Sequence, residues 1–334
     1  MILNSDISFI LFCLLNPGFV LLISPLYMSL IKKVKAAAQG RKGPRLLQSY
    51  YDLRKLLHRE VVYSPTSSGI MRVTPYLNLA VLLLASLFVP VIFIPEAPAG
   101  IGNIIVFIYL LAIERFFTAL SGLDAGSPFG GMGSSRAMSL AAVIEPTMVI
   151  AFAALAYVLK TVDLHEMFAI TSASAIPVSP TLVLVSISLF IIIIVETGRL
   201  PVDNPATHLE LTMINEAMIL EQSGKNLALI ELTHSVKQTL LMAVLINILV
   251  PVGLSGGFSG GLTGGLSGGS NLANLAVSGL LGSALAFLVK AGLLAVIIGL
   301  FESSLSKMRL FRLPAFYMMA FFFSALTILM EVFA

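Results

Sequence analysis

The chain has 334 residues and a formal net charge of +3, with 57% hydrophobic and only 11% charged residues. Soluble domains carry about 25% charged residues, so this chain has too few polar side chains to cover a surface in water. The single cysteine, Cys13, excludes an intramolecular disulfide and the sets of Cys thiolates that hold iron–sulfur clusters. The four histidines are widely separated, so the sequence predicts a membrane protein with no metal site or redox cofactor of its own.

A transmembrane helix needs about 20 mostly apolar residues, and backbone groups in lipid must be paired within the segment. Eight stretches meet this condition, which predicts an all-α integral membrane protein with a single membrane domain over residues 1–334. The predicted spans are 7–31, 74–95, 101–120, 137–158, 179–197, 228–253, 273–303 and 313–333. The start of the chain contains no Lys or Arg and so lacks the basic region of a signal peptide; its apolar stretch is interpreted as the first span.

Lysine and arginine residues are concentrated in loops on one side of these spans. Sixteen of the twenty fall in the segment 32–73 or in later loops on the same side, and only Lys160 lies in a loop on the other side. Cytoplasmic loops carry an excess of these residues. The pattern therefore predicts that the loops 32–73 and 198–227 are cytoplasmic and that both termini face away from the cytoplasm. The Gly/Ser repeat at 253–269 is interpreted as a flexible linker.

The first long loop contains a tight turn, Arg41–Pro44, followed by an amphipathic pattern. Apolar residues recur there at helical spacing: Leu46, Tyr50, Leu53 and Leu57. The pattern predicts a loop helix with a basic polar face. Two interpretations stay open, namely a helix that lies on anionic lipid and a docking surface for a soluble partner.

The second long loop is acidic. Asp203 followed by Pro205 is typical of a helix start, and Gly224 is a natural residue just beyond a helix end, which predicts one helix between them. Glu210 and Glu221 are about three turns apart and share a face of that helix. A solvated acidic helix is the simpler alternative, but the following residues are too apolar to be left in water.

Several ionisable residues lie inside the predicted spans, where each costs roughly 2.5–3.5 kcal/mol near the middle of the bilayer. Glu145, Lys237 and Lys290 lie too deep to reach the interface, so they are candidates for proton exchange. Glu231 and His234 precede Lys237 at three-residue steps, although a histidine in such a position is more often a packing residue.

A structural ion pair and a functional role are equally open for three residues near span ends, Arg115, Glu196 and Glu302. Asp124, in the Gly-Leu-Asp-Ala-Gly-Ser-Pro loop, is interpreted as a capping or turn residue.

Together the two loops resemble those of the complex I subunit 1 family, which pairs an Arg-Lys-Gly-Pro turn with an acidic loop. The acidic-loop residues that match in order are Glu196, Arg199, Pro201, Asp203, Glu210, Leu211, Glu221, Ser223 and Gly224. The likeness covers the whole chain and is closer still to the membrane subunits of formate hydrogenlyase and hydrogenase-4. The further motifs that carry it are Pro65–Gly69, Arg115–Phe129, Ser135–Arg136, Glu145–Pro146 and Phe301–Glu302.

The resemblance implies a membrane subunit that anchors a soluble redox arm and relays redox-driven changes into a proton or ion pathway. The implied partners are a hydrogenase-like large subunit, an iron–sulfur small subunit and antiporter-like membrane subunits in a prokaryotic inner membrane. Any Fe–S clusters or NiFe centre would belong to those partners. The predicted pathway residues are Glu114, Glu145, Glu196, Asp203, Glu210, Glu221, Lys237, Lys290 and Glu302. The predicted docking residues are Arg41, Lys42, Gly43, Pro44, Arg136, Arg199 and Pro201.

Ala206 and His208 stand where the quinone-using relatives carry acidic residues, which favours the hydrogenase-like or a related ferredoxin-linked branch over a quinone-binding subunit. A stand-alone secondary transporter is the alternative of a different class. Such transporters usually contain internal repeats, and the two halves of this chain share no repeat.

Overall fold

The structure, a computed structural model, describes residues 2–95, 102–173, 179–203, 213–251 and 271–333. Within these ranges the backbone is almost entirely helical and contains no β-strand. The eleven α-helices of the described residues are α1 (Ile2–Ala38), α2 (Gln48–Leu57), α3 (Ile70–Ala85), α4 (Ile104–Asp124), α5 (Pro128–Leu159), α6 (Leu164–Ala173), α7 (Pro180–Glu196), α8 (Asn215–Ile219), α9 (Gly224–Leu249), α10 (Asn271–Ser304) and α11 (Leu313–Phe333).

Six of the described helices are long and apolar enough to cross a membrane, and they fall on six of the eight predicted spans. These segments are Phe9–Ala38, Ile104–Asp124, Pro128–Leu159, Gly224–Leu249, Leu280–Ser304 and Leu310–Phe333. The shorter apolar helices α3 and α7 lie in the other two predicted spans. The predicted all-α membrane class is confirmed, and the chain is a multi-pass membrane protein.

The predicted span 74–95 is helical only as far as Ala85. Beyond that point, the Asn16 side chain of α1 donates from Nδ2 to the Ser86 carbonyl at 2.6 Å and to the Val89 carbonyl at 3.0 Å. A buried backbone without helical hydrogen bonds needs such partners. Hydropathy identified the apolar stretch 74–95 correctly. It could not indicate that, beyond Ala85, the Asn16 side chain replaces the backbone hydrogen bonds of a helix.

Helix α5 begins nine residues before the predicted span 137–158. Pro128 occupies the first turn, and the Ser127 hydroxyl caps the helix by accepting from the Gly130 amide at 3.1 Å. Glycine-rich sequence normally indicates a loop. Here the glycines allow close packing, because a Cβ added at Gly133 would lie 2.8 Å from a side chain of α8.

The single helix predicted between Asp203 and Gly224 is wrong in its C-terminal part. Helix α8 ends at Ile219, and Gly224 begins α9 rather than following the end of a helix. Gly224 has a φ of 51°, and an added Cβ would lie 2.3 Å from the Glu60 carbonyl oxygen. A left-handed backbone and a close contact with the first loop therefore both require glycine there.

Helix α9 is the most enclosed of the six long spans. It packs against α1, α3 and α7, and its residues from Ser235 to Ile248 are all buried. A charged side chain in this part of α9 has no route to the lipid interface, so it must be paired inside the protein.

Candidate ion-coupling site

Five charged side chains from α4, α5, α7 and α9 form a connected set, here called the central network. Lys237 Nζ on α9 lies 2.8 Å from Glu114 Oε2 on α4 and 3.1 Å from Glu196 Oε2 at the end of α7. Arg115 Nη1 lies 3.2 Å from Glu145 Oε1, and Arg115 Nη2 pairs with Glu196 Oε1. Glu196 therefore contacts both cations of the network.

The central network contains three carboxylates and two cations; Glu114, Glu196 and Lys237 are buried, and Arg115 is partly buried. The exposed fraction of the side chain is 12% for Arg115 but 47% for Glu145. Charges removed from water are tolerated only when they are paired, so the buried members depend on one another. Glu145 differs because it pairs with Arg115 while facing outward from α5.

A second charged set, here called the second cluster, lies beside the first. Glu302, near the end of α10, pairs through Oε1 with Lys35 Nζ at 3.0 Å and through Oε2 with Arg199 Nη1 at 3.1 Å. Arg199 also donates from Nη2 to Gln238 Oε1. Since Gln238 follows Lys237 in α9, adjacent residues of one helix connect the two sets.

Asp203 joins the loop after α7 to two other segments. Its Oδ1 lies 2.9 Å from Lys307 Nζ. Its Oδ2 accepts from the backbone amides of Ile214 and Asn215 at 2.9 and 3.0 Å. Asp203 therefore caps α8, which begins twelve residues later in the sequence. The helix start predicted at Pro205 lies outside the described residues.

A cavity of about 480 Å³, here called the chamber, is lined by parts of α1, α8, α9 and α10 and by the loops after α1 and α7. Arg199, Asp203 and Glu302 line it, as does the turn Arg41–Pro44. In that turn Arg41 and Lys42 are exposed. The chamber thus brings the predicted first-loop turn next to the predicted acidic loop.

Two smaller cavities adjoin the chamber. An inner cavity of about 50 Å³ is lined by Tyr317 of α11 and by every member of the central network except Glu145. A groove of about 140 Å³ between α1, α2 and α9 shares Met28, Lys32 and Glu231 with the chamber. The groove, chamber and inner cavity therefore follow one another from α2 to the central network.

Glu216 of α8 also lines the chamber, opposite Glu231. Burial, reinforced by the Glu231 carboxylate, raises the pKa of Glu216 above its usual value. The folded protein therefore favours the protonated form of Glu216 more than the unfolded chain does. The protonated Glu216 side chain contributes its full share to the free energy of unfolding below the ordinary glutamate pKa of about 4.3. This contribution is lost as the pH rises through the raised pKa, because the buried carboxyl must then ionise.

Glu216→Gln is therefore expected to be more stable than the wild type above that pH, because the amide needs no ionisation. The melting temperatures of the two proteins should agree near pH 4 and separate progressively up to pH 8. The matched control is Glu221→Gln, at an exposed carboxylate of the neighbouring loop. A pH-independent difference between wild type and Glu216→Gln would contradict this account.

The structure brings most of the predicted pathway residues together. Glu114, Glu145, Glu196 and Lys237 lie in the central network, and Asp203 and Glu302 line the chamber. Glu221 is exposed in the loop after α8. Lys290 donates to the Val250 carbonyl at 2.9 Å, at the opposite end of α9 from the chamber. Glu210 lies outside the described residues.

The predicted docking residues divide into surface and interior positions. The turn Arg41–Pro44 lies at the chamber rim, whereas Arg199 and Pro201 are buried. Arg136 donates from Nη1 to the Met213 carbonyl at 3.0 Å, which fixes α5 to the segment before α8. The docking role of all these residues stays a prediction.

Sequence reasoning missed several members of the site. In the sequence, Lys35 and Lys307 served only to indicate the orientation of the chain in the membrane. In the structure, Lys35 pairs with Glu302 and Lys307 pairs with Asp203. Gln238 carried no signal beyond its place next to Lys237. Arg115 left two interpretations open, and its two ion pairs now place it in the central network.

Within the described ranges, no group of three or more His, Cys, Asp or Glu residues is arranged to hold a metal ion. The site consists instead of paired charges beside cavities. Such an arrangement is suited to binding and exchanging protons or small cations.

Comparisons with known proteins define the family. The family model described as NADH dehydrogenase, of the complex I subunit 1 type, matches residues 10–333. This chain belongs to that family. Hydrogenase-4 component C of Escherichia coli (strain K12) is 34% identical over 239 residues, covering 71% of this chain and 74% of the relative. Formate hydrogenlyase subunit 4 of the same organism is 28% identical over 301 residues, covering 90% and 92%.

A solved structure has the same fold as this chain. A chain of the membrane-bound sulfane sulfur reductase, an archaeal respiratory membrane complex, superposes with a TM-score of 0.75 at 19% identity, covering 97% of this chain and 99% of that one. The predicted resemblance to the subunit 1 family and to the hydrogenase-4 and formate hydrogenlyase subunits is confirmed. The chain is a complex I-like membrane subunit, and its relatives belong to multisubunit membrane complexes.

Proposed function

We propose that this chain anchors the soluble redox arm of an energy-converting membrane complex and couples the redox reaction to the movement of protons or another cation. The observation that carries the proposal is the central network, in which Glu114, Glu196 and Lys237 are buried in mutual contact beside a cavity. A purely structural anchor could be apolar at these positions. Charge inside a membrane is costly and is generally retained for function.

The route in this proposal begins at the chamber and ends at Glu145. The chamber supplies access from the loop side, and the central network carries the charge between α4, α7 and α9. Glu145 is half-exposed on α5, and a carboxylate deep in a span is not left against lipid. Its outward face is therefore the exit toward a neighbouring membrane subunit, for which the antiporter-like subunits are the proposed occupants.

The proposed orientation follows from the basic residues. With the loops 32–73 and 198–227 on the cytoplasmic side, the chamber opens toward the cytoplasm and both termini face the other side of a prokaryotic inner membrane. The docking surface for the redox arm is then formed by these two loops.

Contacts between the two loops support a shared docking surface. Ser223 Oγ accepts from the Val62 amide and donates to the Val62 carbonyl, both at 2.9 Å. Asn226 donates from Nδ2 to the Tyr63 hydroxyl at 3.2 Å. Movement of one loop by a docked partner would therefore be transmitted to the other loop and to the start of α9.

The proposed partners are a hydrogenase-like large subunit and an iron–sulfur small subunit, with the redox cofactors held by those chains. The names of the hydrogenase-4 and formate hydrogenlyase relatives support this assignment.

A quinone-binding subunit is a second candidate, because the chamber has the volume of an ordinary ligand pocket. Nine of its twenty lining residues are charged, however, whereas such pockets are mostly apolar. This observation favours an aqueous chamber over a quinone site. Quinone extracted in stoichiometric amount from the purified complex would reverse that preference.

Affinity purification tests the anchoring role. When the tagged full chain is isolated from its host membrane in mild detergent, iron–sulfur proteins are expected to co-purify in fixed stoichiometry, because the two loops bind the redox arm. Mass spectrometry identifies the chains, and metal analysis measures iron and nickel. Untagged membranes serve as the control. Isolation of this chain alone or as a homo-oligomer would contradict the proposal and favour a stand-alone transporter.

A further inference from the structure

His234 occupies the boundary between the chamber and the inner cavity. It lines both of them, a position that it shares only with Asn215 among the lining residues of these two cavities. Asn215 is held in place through its backbone amide, which bonds Asp203. His234 is thus the one titratable side chain that borders both spaces.

The order of side chains along α9 matches the order of the cavities. Glu231 lines the groove and the chamber, His234 lines the chamber and the inner cavity, and Lys237 lines the inner cavity. Residues three apart on a helix lie on neighbouring positions of one face, with a rise of about 4.5 Å per step. One face of α9 therefore presents three ionisable groups in sequence from the groove to the central network.

One ring nitrogen of His234 is available for a further hydrogen bond. Its Nε2 is buried and has no hydrogen-bond partner among the described residues, and the same is true of the Tyr317 hydroxyl across the inner cavity. Buried polar atoms are normally paired with protein or with ordered water. The inner cavity, at about 50 Å³, is large enough for water.

Charged groups face His234 from both sides. The carboxylates of Glu216, Glu231 and Asp203 lie on the chamber side, and the cations Lys32, Lys35 and Arg199 line the same cavity. Glu114, Arg115, Glu196 and Lys237 lie on the inner side. Acidic groups are therefore available as proton donors and acceptors on either side of the imidazole.

We propose that His234, together with water in the inner cavity, transfers protons between the chamber and the central network. The neutral imidazole accepts a proton at one ring nitrogen from the chamber side. It then releases the proton of the other nitrogen through cavity water to the carboxylates of the network. No bond other than N–H and O–H forms or breaks, and the ring regains its charge-neutral form. This inference rests on the proposed coupling function and names the residue through which protons enter.

His234→Gln tests the inference in the intact complex reconstituted into liposomes, with a reduced viologen dye as the electron donor. Gln retains a polar side chain but cannot accept a proton and pass it on, so redox-driven proton translocation is expected to fall by about 100-fold or more, the lower end of general acid–base effects. Assembly and dye-driven redox turnover with an uncoupler should be unchanged. In His234→Ala, added imidazole should restore part of the translocation. The matched control is Glu166→Gln, at an exposed carboxylate outside the spans and outside both docking loops.

The outcomes distinguish the inference from the function on which it rests. If the wild type translocates protons and His234→Gln stays within twofold of it, the relay is overturned while the coupling function stands. If the wild-type complex translocates no protons during turnover, both are overturned. Loss in His234→Gln together with imidazole rescue in His234→Ala supports the relay, because a packing defect would not be corrected by a small base.

Discussion

Lys237→Met is expected to lower the free energy of unfolding by about 3–5 kcal/mol, the usual cost of removing one partner from a buried ion pair. Lys237 is the cation that contacts both Glu114 and Glu196. Without it, the network holds three carboxylates and one cation, and two of the carboxylates stay buried. Heating the detergent-solubilised complex and measuring the surviving fraction by size-exclusion chromatography checks this prediction.

Two companion variants separate charge pairing from packing. Lys225→Met, at an exposed position in the first turn of α9, should have little effect. The double variant Glu114→Gln/Lys237→Met restores the original charge balance of the network and should recover most of the lost stability. Equal destabilisation in the single and double variants would mean that packing of the Lys237 side chain, rather than its charge, is what matters.

Glu145→Gln is expected to abolish ion translocation while leaving assembly and redox turnover intact. Its carboxylate is half-exposed on the outer face of α5 and pairs with Arg115, so its removal interrupts the route toward the neighbouring subunit without leaving a fully buried charge unpaired. The measurement is dye-detected acidification in liposomes that contain the complex. Glu166→Gln is the matched control, because Glu166 is an exposed carboxylate outside the spans.

Lys290→Met provides a comparison for Glu145→Gln. The sequence assigns both residues to the pathway on the basis of depth, but Lys290 contacts the Val250 carbonyl instead of the central network. Translocation should therefore depend more strongly on Glu145. If translocation is lost in Lys290→Met but unchanged in Glu145→Gln, the ion route runs along α10 and not through Glu145.

Hydropathy predicted the architecture because lipid imposes one requirement on every span, a long apolar helix with internally paired backbone groups. The details that failed depend on particular long-range contacts. Asn16 ends α3 by binding the carbonyls of Ser86 and Val89, seventy or more residues away. Glycine clusters are typical of loops. Those at the start of α5 lie in a helix instead, where they allow the close approach of α8.

The members of the site were easier to predict than their partners. A charged residue in the middle of a predicted span is costly to bury, so its position alone marks it as a candidate site residue. Lys237 was identified in this way. Nothing local indicates that Glu302 pairs with Lys35, which is 267 residues away. The position of His234 between two cavities likewise depends on α8, which packs against α4 and α5 and whose Asn215 lines the same two cavities. No periodicity of the sequence predicts this arrangement.

The central claim is that ionisable groups inside this chain carry ions when the complex turns over. Its most direct test is the number of protons translocated per electron by the reconstituted complex that contains Glu114→Gln/Lys237→Met, compared with the wild type. This variant preserves the charge balance and fold but removes two titratable groups from the network. The account predicts unchanged redox turnover with translocation at background, and a wild-type ratio in the double variant would contradict it.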